Sequence, residues 1–100
     1  MDNYIKAVEE IGFVKYINSG EIVRFHRKGV ELSLQNNYFD DVAINTSKRR
    51  YGTLTTEKEF WIFSVTESQL PLAIRSIVRF WAKNGVKLGK VKLGKAKEKK

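Results

Sequence analysis

The chain has 100 residues, 42% of them apolar, with 19 Lys and Arg against 11 Asp and Glu and a formal net charge of +8. That length supports one small domain with one packed core. The absence of cysteine and the single histidine, His26, exclude a disulfide scaffold, a thiol nucleophile, a thiolate metal site and a multi-histidine zinc site within one chain. No apolar run approaches the roughly 20 residues of a membrane span, and Met1-Asp2-Asn3-Tyr4 lacks the basic-then-apolar layout of a signal peptide. A soluble cytoplasmic protein is expected.

In chain order, residues 2–11 read as a helix with Tyr4, Ile5, Val8 and Ile11 on one face, Asp2 or Asn3 as cap and Gly12 as stop. The period then changes to two. Strands are expected over Phe13–Asn18, Glu21–Arg27, Val30–Gln35 and Tyr38–Asn45, separated by tight turns at Ser19-Gly20, Lys28-Gly29 and Asn36-Asn37. Residues 46–56 form a longer connection. A fifth strand, Glu57–Val65, is apolar on both faces, which fits a central or well-covered strand. Residues 67–84 make the strongest helix: Thr66 with Gln69 has capping-box spacing, Pro71 sits near the first turn, and Leu70, Ile74, Ile77, Val78 and Trp81 form an apolar stripe. Arg75, Arg79 and Lys83 form a basic stripe beside it, which reads equally as a solvated helix face. The expected fold is α+β, a five-stranded, mostly antiparallel β-meander flanked by an N-terminal and a C-terminal helix, with a domain over residues 1–84 and a basic tail over 85–100.

The charge is uneven. Residues 83–100 hold eight lysines and one acid, Glu98, for +7, whereas residues 1–82 hold 11 basic and 10 acidic residues, for +1. The tail contains a tandem repeat, Val86-Lys87-Leu88-Gly89-Lys90 followed by Val91-Lys92-Leu93-Gly94-Lys95. Dense lysine broken by glycine buries little apolar surface, so a mostly flexible tail is expected. The period-two pattern of its valines and leucines leaves an added edge strand as the second reading.

Counting hairpins locates the cations. If each strand reverses the last, Lys28-Gly29, the connection holding Lys48, Arg49 and Arg50, and the end of the last helix all fall at one pole of the sheet. The opposite pole carries Asn18, Ser19, Gly20, Asn36 and Asn37. The candidate nucleic-acid-binding set is therefore Arg27, Lys28, Lys48, Arg49, Arg50, Lys83, Lys87, Lys90, Lys92 and Lys95, with Tyr51 as a ring that could stack on an unpaired base. Basic turns and tails also serve plain solubility.

Other constellations carry less chemistry. His26 lies between Phe25 and Arg27 with no serine or cysteine elbow, and reads as a strand histidine at the sheet surface. Asp40-Asp41 with Glu31, Glu57 or Glu59 could hold magnesium for a nuclease, but adjacent strand aspartates point to opposite faces. There is no phosphate-binding loop. Trp61 and Phe63 share one strand face and Phe60 and Ile62 the other, so helices covering one side would expose one pair, as a base-stacking platform or, more simply, as core or interface. The expected function is a non-enzymatic nucleic-acid-binding protein without cofactor. Single-stranded or structured RNA or DNA is slightly favoured, because no recognition helix stands out. The alternative is a protein-interaction module, an inhibitor or assembly factor, using Trp61 and Phe63 against a protein partner or as a homodimer.

Overall fold

The computed structural model describes residues 1–37, 41–49 and 56–89. Helix α1 (Asp2–Glu10) leads into strands β1 (Val14–Asn18), β2 (Ile22–Arg27), β3 (Val30–Asn36), β4 (Val42–Arg49) and β5 (Thr56–Val65), and a 3-10 turn (Glu67–Gln69) opens helix α2 (Leu70–Lys83). The strands form one sheet in chain order, each antiparallel to its neighbour. The α+β meander read from the change of period is the observed fold.

Local chemistry sets most boundaries. Met1, not Asp2 or Asn3, takes the N-cap position of α1. Asp2 instead lies in the first turn, where its charge meets the positive end of the helix dipole, and Asn3 Nδ2 donates to Glu67 Oε1 at 3.1 Å. At the β2–β3 turn both Lys28 (φ 51°) and Gly29 (φ 81°) have positive φ, as a two-residue type I′ hairpin demands. Thr66 and Gln69 form the expected capping box, with Thr66 N donating to Gln69 Oε1 at 3.0 Å.

Two strand assignments need correction. β3 continues through Asn36 and β4 starts at Val42, so Asn36-Asn37 is no two-residue turn; Tyr38, the expected start of the fourth strand, lies outside the described residues. β4 then runs on to Arg49, placing Lys48 and Arg49 on a strand instead of in a loop. The inward series Val42, Ile44, Thr46 keeps period two, but its last member is polar, so Thr46-Ser47-Lys48-Arg49 looks like a connection. The second correction concerns β5. Its two apolar faces fit a central or well-covered strand, yet among the described residues it is an edge strand of the sheet, and Trp61 and Phe63 are exposed.

The core lies on one side of the sheet. The register aligns Val23, Leu34, Ile44 and Ile62 across β2 to β5, and next to them Phe25, Leu32, Thr46 and Phe60. Tyr4 and Val8 of α1, and Leu70, Ala73, Ile74, Ile77 and Trp81 of α2, cover this side. The packing continues past the expected boundary at residue 84. Val86 and Leu88 are buried in the same core. Val86 N donates to Trp81 O at 2.8 Å and Gly89 N to Ile11 O at 2.9 Å. Residues 86–89 therefore tie the end of α2 to the end of α1. They are neither a free tail nor an added sheet strand. Gly89 packs closely there: a Cβ would sit 3.1 Å from the Ile11 backbone, which would have to give by a few tenths of an ångström. Burying two aliphatic side chains contributes about 1.5–3 kcal/mol each.

Candidate nucleic-acid interface

The register defines two ends. At one, Arg27 lies opposite Val30, Val30 opposite Lys48, and Lys48 opposite Lys58. The Lys28-Gly29 turn closes β2 to β3 here, and β4 ends on Arg49. Helix α2 starts from the other end, after Val65, and returns. Its Trp81 indole donates to Thr46 Oγ1 at 2.8 Å, Lys83 is in its last turn, and the Lys87 carbonyl accepts from Lys28 Nζ at 3.0 Å. Of the residues singled out in the sequence, Arg27, Lys28, Lys48, Arg49, Lys83 and Lys87 thus meet at one end of the sheet. Arg50, Tyr51, Lys90, Lys92 and Lys95 lie outside the described residues.

These cations differ in availability. Arg27 is committed to the fold: Nη1 donates to Gly12 O at 3.3 Å, the guanidinium lies where a Gly12 side chain would be, and its buried Nε has no partner. Lys28, Lys58, Lys83 and Lys87 are exposed and Lys48 is half-buried. Lys58 was not among the sequence candidates. The hairpin count that places Lys48 at this end places Lys58 there too, but in the sequence its neighbours Glu57 and Glu59 read only as candidate magnesium ligands. Two lysines directly across adjacent strands repel each other and cost stability.

Carboxylates share this end as well. Glu9 and Glu10 close α1, and Glu57 and Glu59 flank Lys58. The far end carries Asp2, Glu21, Asp41 and Glu67 on its turns and helix starts, and no Lys or Arg in those turns. The molecule is polar in charge along its strands.

The sheet face away from the helices is open. Val14, Tyr16 and Ile17 on β1 and Trp61 and Phe63 on β5 are exposed there. The Trp61 and Phe63 rings stack at 5.4 Å and 20°. Between them and β1 lie Arg24, Ser33 and Asn45, with Asn45 opposite Trp61 and its Nδ2 without a partner. His26 is on this face, 5.3 Å from the Tyr16 ring, as a surface strand histidine. Tyr16 donates its hydroxyl to Glu31. Burial, then the hydrogen bond and charge of Glu31, push the Tyr16 phenol above its ordinary value, with Arg24 opposing.

The nuclease carboxylates do not converge. Glu31 and Glu59 both lie opposite Ser47, one strand to either side of it. Asp41 is six residues from Ser47, about 20 Å along β4 at 3.3 Å per residue, and its Oδ2 accepts from Ser64 Oγ at 2.6 Å. Asp40 lies outside the described residues. Among the described residues no three His, Asp or Glu side chains gather as metal ligands, and no helix is long and apolar enough to cross a membrane.

Comparisons with protein-family models, with curated proteins and with solved structures return no match for this chain.

Proposed function

We propose that the protein is a small, non-enzymatic nucleic-acid-binding module of the cytoplasm. Lys28, Lys48, Lys58, Lys83 and Lys87 hold phosphates at the basic end of the sheet, and Lys90, Lys92 and Lys95, which follow in the sequence, add further positive charge. The observation that carries this reading is the Lys48–Lys58 pair with Lys28 and Lys87 beside it. The fold itself has no use for like charges set opposite each other, and a polyanion relieves the repulsion. Such binding is driven by counterion release and reads little sequence. Single-stranded or structured RNA or DNA is slightly favoured over duplex, because no recognition helix stands out in the sequence.

The test is a fluorescence-anisotropy titration of the full chain with a labelled single strand and a labelled duplex at two salt concentrations. Binding that weakens steeply with salt is expected, each neutralised phosphate contributing a log–log slope of about −0.7 on single strands and −0.9 on duplex DNA. No binding at low salt, or binding indifferent to salt, overturns the proposal. A truncation to test the lysine tail should end after Gly89, so that Val86 and Leu88 stay in the core. The exposed Trp61–Phe63 pair supports a second reading, a protein-interaction module. Under it, partner binding survives removal of residues 90–100 and is lost on replacing the two rings.

A further inference from the structure

We infer that β5 is the meeting strand of a symmetric dimer, its free edge pairing antiparallel with β5 of a second copy so that one sheet runs through both chains. The inference is independent of the nucleic-acid reading.

The first observation is the mismatch between the composition of β5 and its place. Phe60, Trp61, Ile62, Phe63 and Val65 put apolar side chains on both faces, as in strands whose two faces are both covered. Yet among the described residues β5 pairs only with β4. Edge strands are ordinarily blunted by shortness, bulges or charge. β1, the other edge, follows that rule, with five residues and a register break between Lys15 and Ile17. β5 has ten residues, and its charges are confined to Glu57, Lys58 and Glu59 at one end. Its register with β4 shifts near both ends, between Thr56 and Lys58 and between Ile62 and Val65, but the stretch from Lys58 to Ile62 is regular.

The second observation is that apolar surface flanks the β5 edge on both sides of the sheet. On the helix side, a groove of about 380 Å³ opens between β5 and α2, lined by Phe60, Ile62, Ala73 and Leu72, the last 61% exposed. On the other side stand Trp61, 46% exposed, and Phe63, 71% exposed. An added strand places alternate side chains on both faces, so it fills the groove and covers the stacked rings together.

Charge selects a second copy as that strand. Antiparallel pairing of β5 with itself turns one chain end for end. The basic end of each copy then lies beside the partner's cation-poor end, which carries Glu67 and Asp41, and the two basic ends stay apart. Registers centred on Trp61 or Ile62 keep Glu57, Lys58 and Glu59 away from their own counterparts and set aromatic and aliphatic residues against each other. Twofold pairing of identical patches is also the commonest closed assembly.

The test is sedimentation analysis of the full, nuclease-treated chain in high salt over a wide concentration range, so that nucleic acid cannot bridge copies. A concentration-dependent shift from one chain mass, 11.6 kDa, to two is expected. The double variant Trp61→Lys/Phe63→Lys should stay at one chain mass while keeping its circular dichroism, since both positions are exposed. Because the chain has no cysteine, Trp61→Cys and Ile62→Cys can each report the register. One of them should form a disulfide-linked dimer under mild oxidation, while Ile17→Cys on β1 should not. A single chain mass at every concentration overturns the inference, whether the edge is covered by this chain's own sequence or by another molecule. So does a dimer that survives the double lysine variant or cross-links only through Ile17→Cys.

Discussion

Trp81 donates its indole N–H to Thr46 Oγ1 at 2.8 Å, and the same hydroxyl donates onward to Phe60 O at 3.1 Å. This chain of two bonds crosses from α2 through β4 to β5, with Trp81 and Thr46 both fully buried. It fixes where the last turns of α2 lie on the sheet, and so holds Lys83 and Lys87 near Lys48. Thr46→Val should cost about 1–3 kcal/mol by leaving a buried N–H unpaired. Trp81→Phe on that background should cost less than in the native chain. Urea melts of the four proteins in a double-mutant cycle measure the difference, and strict additivity would refute the coupling.

The Lys48–Lys58 pair separates stability from binding. Lys58→Gln should raise stability by about 0.2–1 kcal/mol by removing a like charge across the strands. It should also weaken polyanion binding and lower the salt slope by about one phosphate. A stabilised variant with unchanged affinity would show that Lys58 repels Lys48 without serving a ligand.

Lys28 occupies left-handed backbone, φ 51°, in a turn where asparagine is more at ease. Lys28→Asn should leave the hairpin as stable or slightly more stable, although it removes the bond to Lys87 O. Polyanion affinity should fall with it. Thermal melts alongside anisotropy read both, and a marked loss of stability would mean that the bond to residue 87 matters more than the turn.

The strap over residues 86–89 should behave as core. Leu88→Ala should cost about 2 kcal/mol, the low end for a buried leucine, because the site lies at the core's margin. Gly89→Val should also destabilise, since its side chain meets the Ile11 backbone. A chain ending at Gly89 should melt close to the full-length temperature, and one ending at Asn84 well below it. Equal melting of the two truncations would contradict the packing of Val86 and Leu88.

Asp41 supplies an acid-side signature. The Ser64 hydroxyl, and after it the Asn37 side chain, hold its carboxyl below the ordinary aspartate value. A depressed folded pKa stabilises the fold fully above the unfolded value, and the contribution is lost as pH falls through the folded one. Ser64→Ala should therefore flatten the fall in stability below about pH 4. Denaturant melts across that range test it, and an unchanged pH dependence would sink the assignment.

Much of this was legible in the sequence. The change from helical to alternating period located both helices and all five strands. Parity of successive hairpins brought Arg27, Lys28, Lys48 and Lys83 to one end, because each tight reversal leaves an antiparallel strand no other direction. Lys58 obeyed the same parity and was missed because its neighbours were read for metal binding. The limits of β4 were illegible because Thr46 is polar and yet buried, and only the approach of Trp81 from α2 makes that burial tolerable.

By itself the sequence determined the meander, its direction and the charge polarity that follows from it, since these rest on local periodicity and turn chemistry. The tertiary structure alone decided that β5 is an edge, that Trp61 and Phe63 stand in the open, and that Val86 and Leu88 are inside. Those outcomes depend on which surfaces two helices can reach on a five-stranded sheet. Alternation along a strand records which side chains share a face, but not whether anything covers that face.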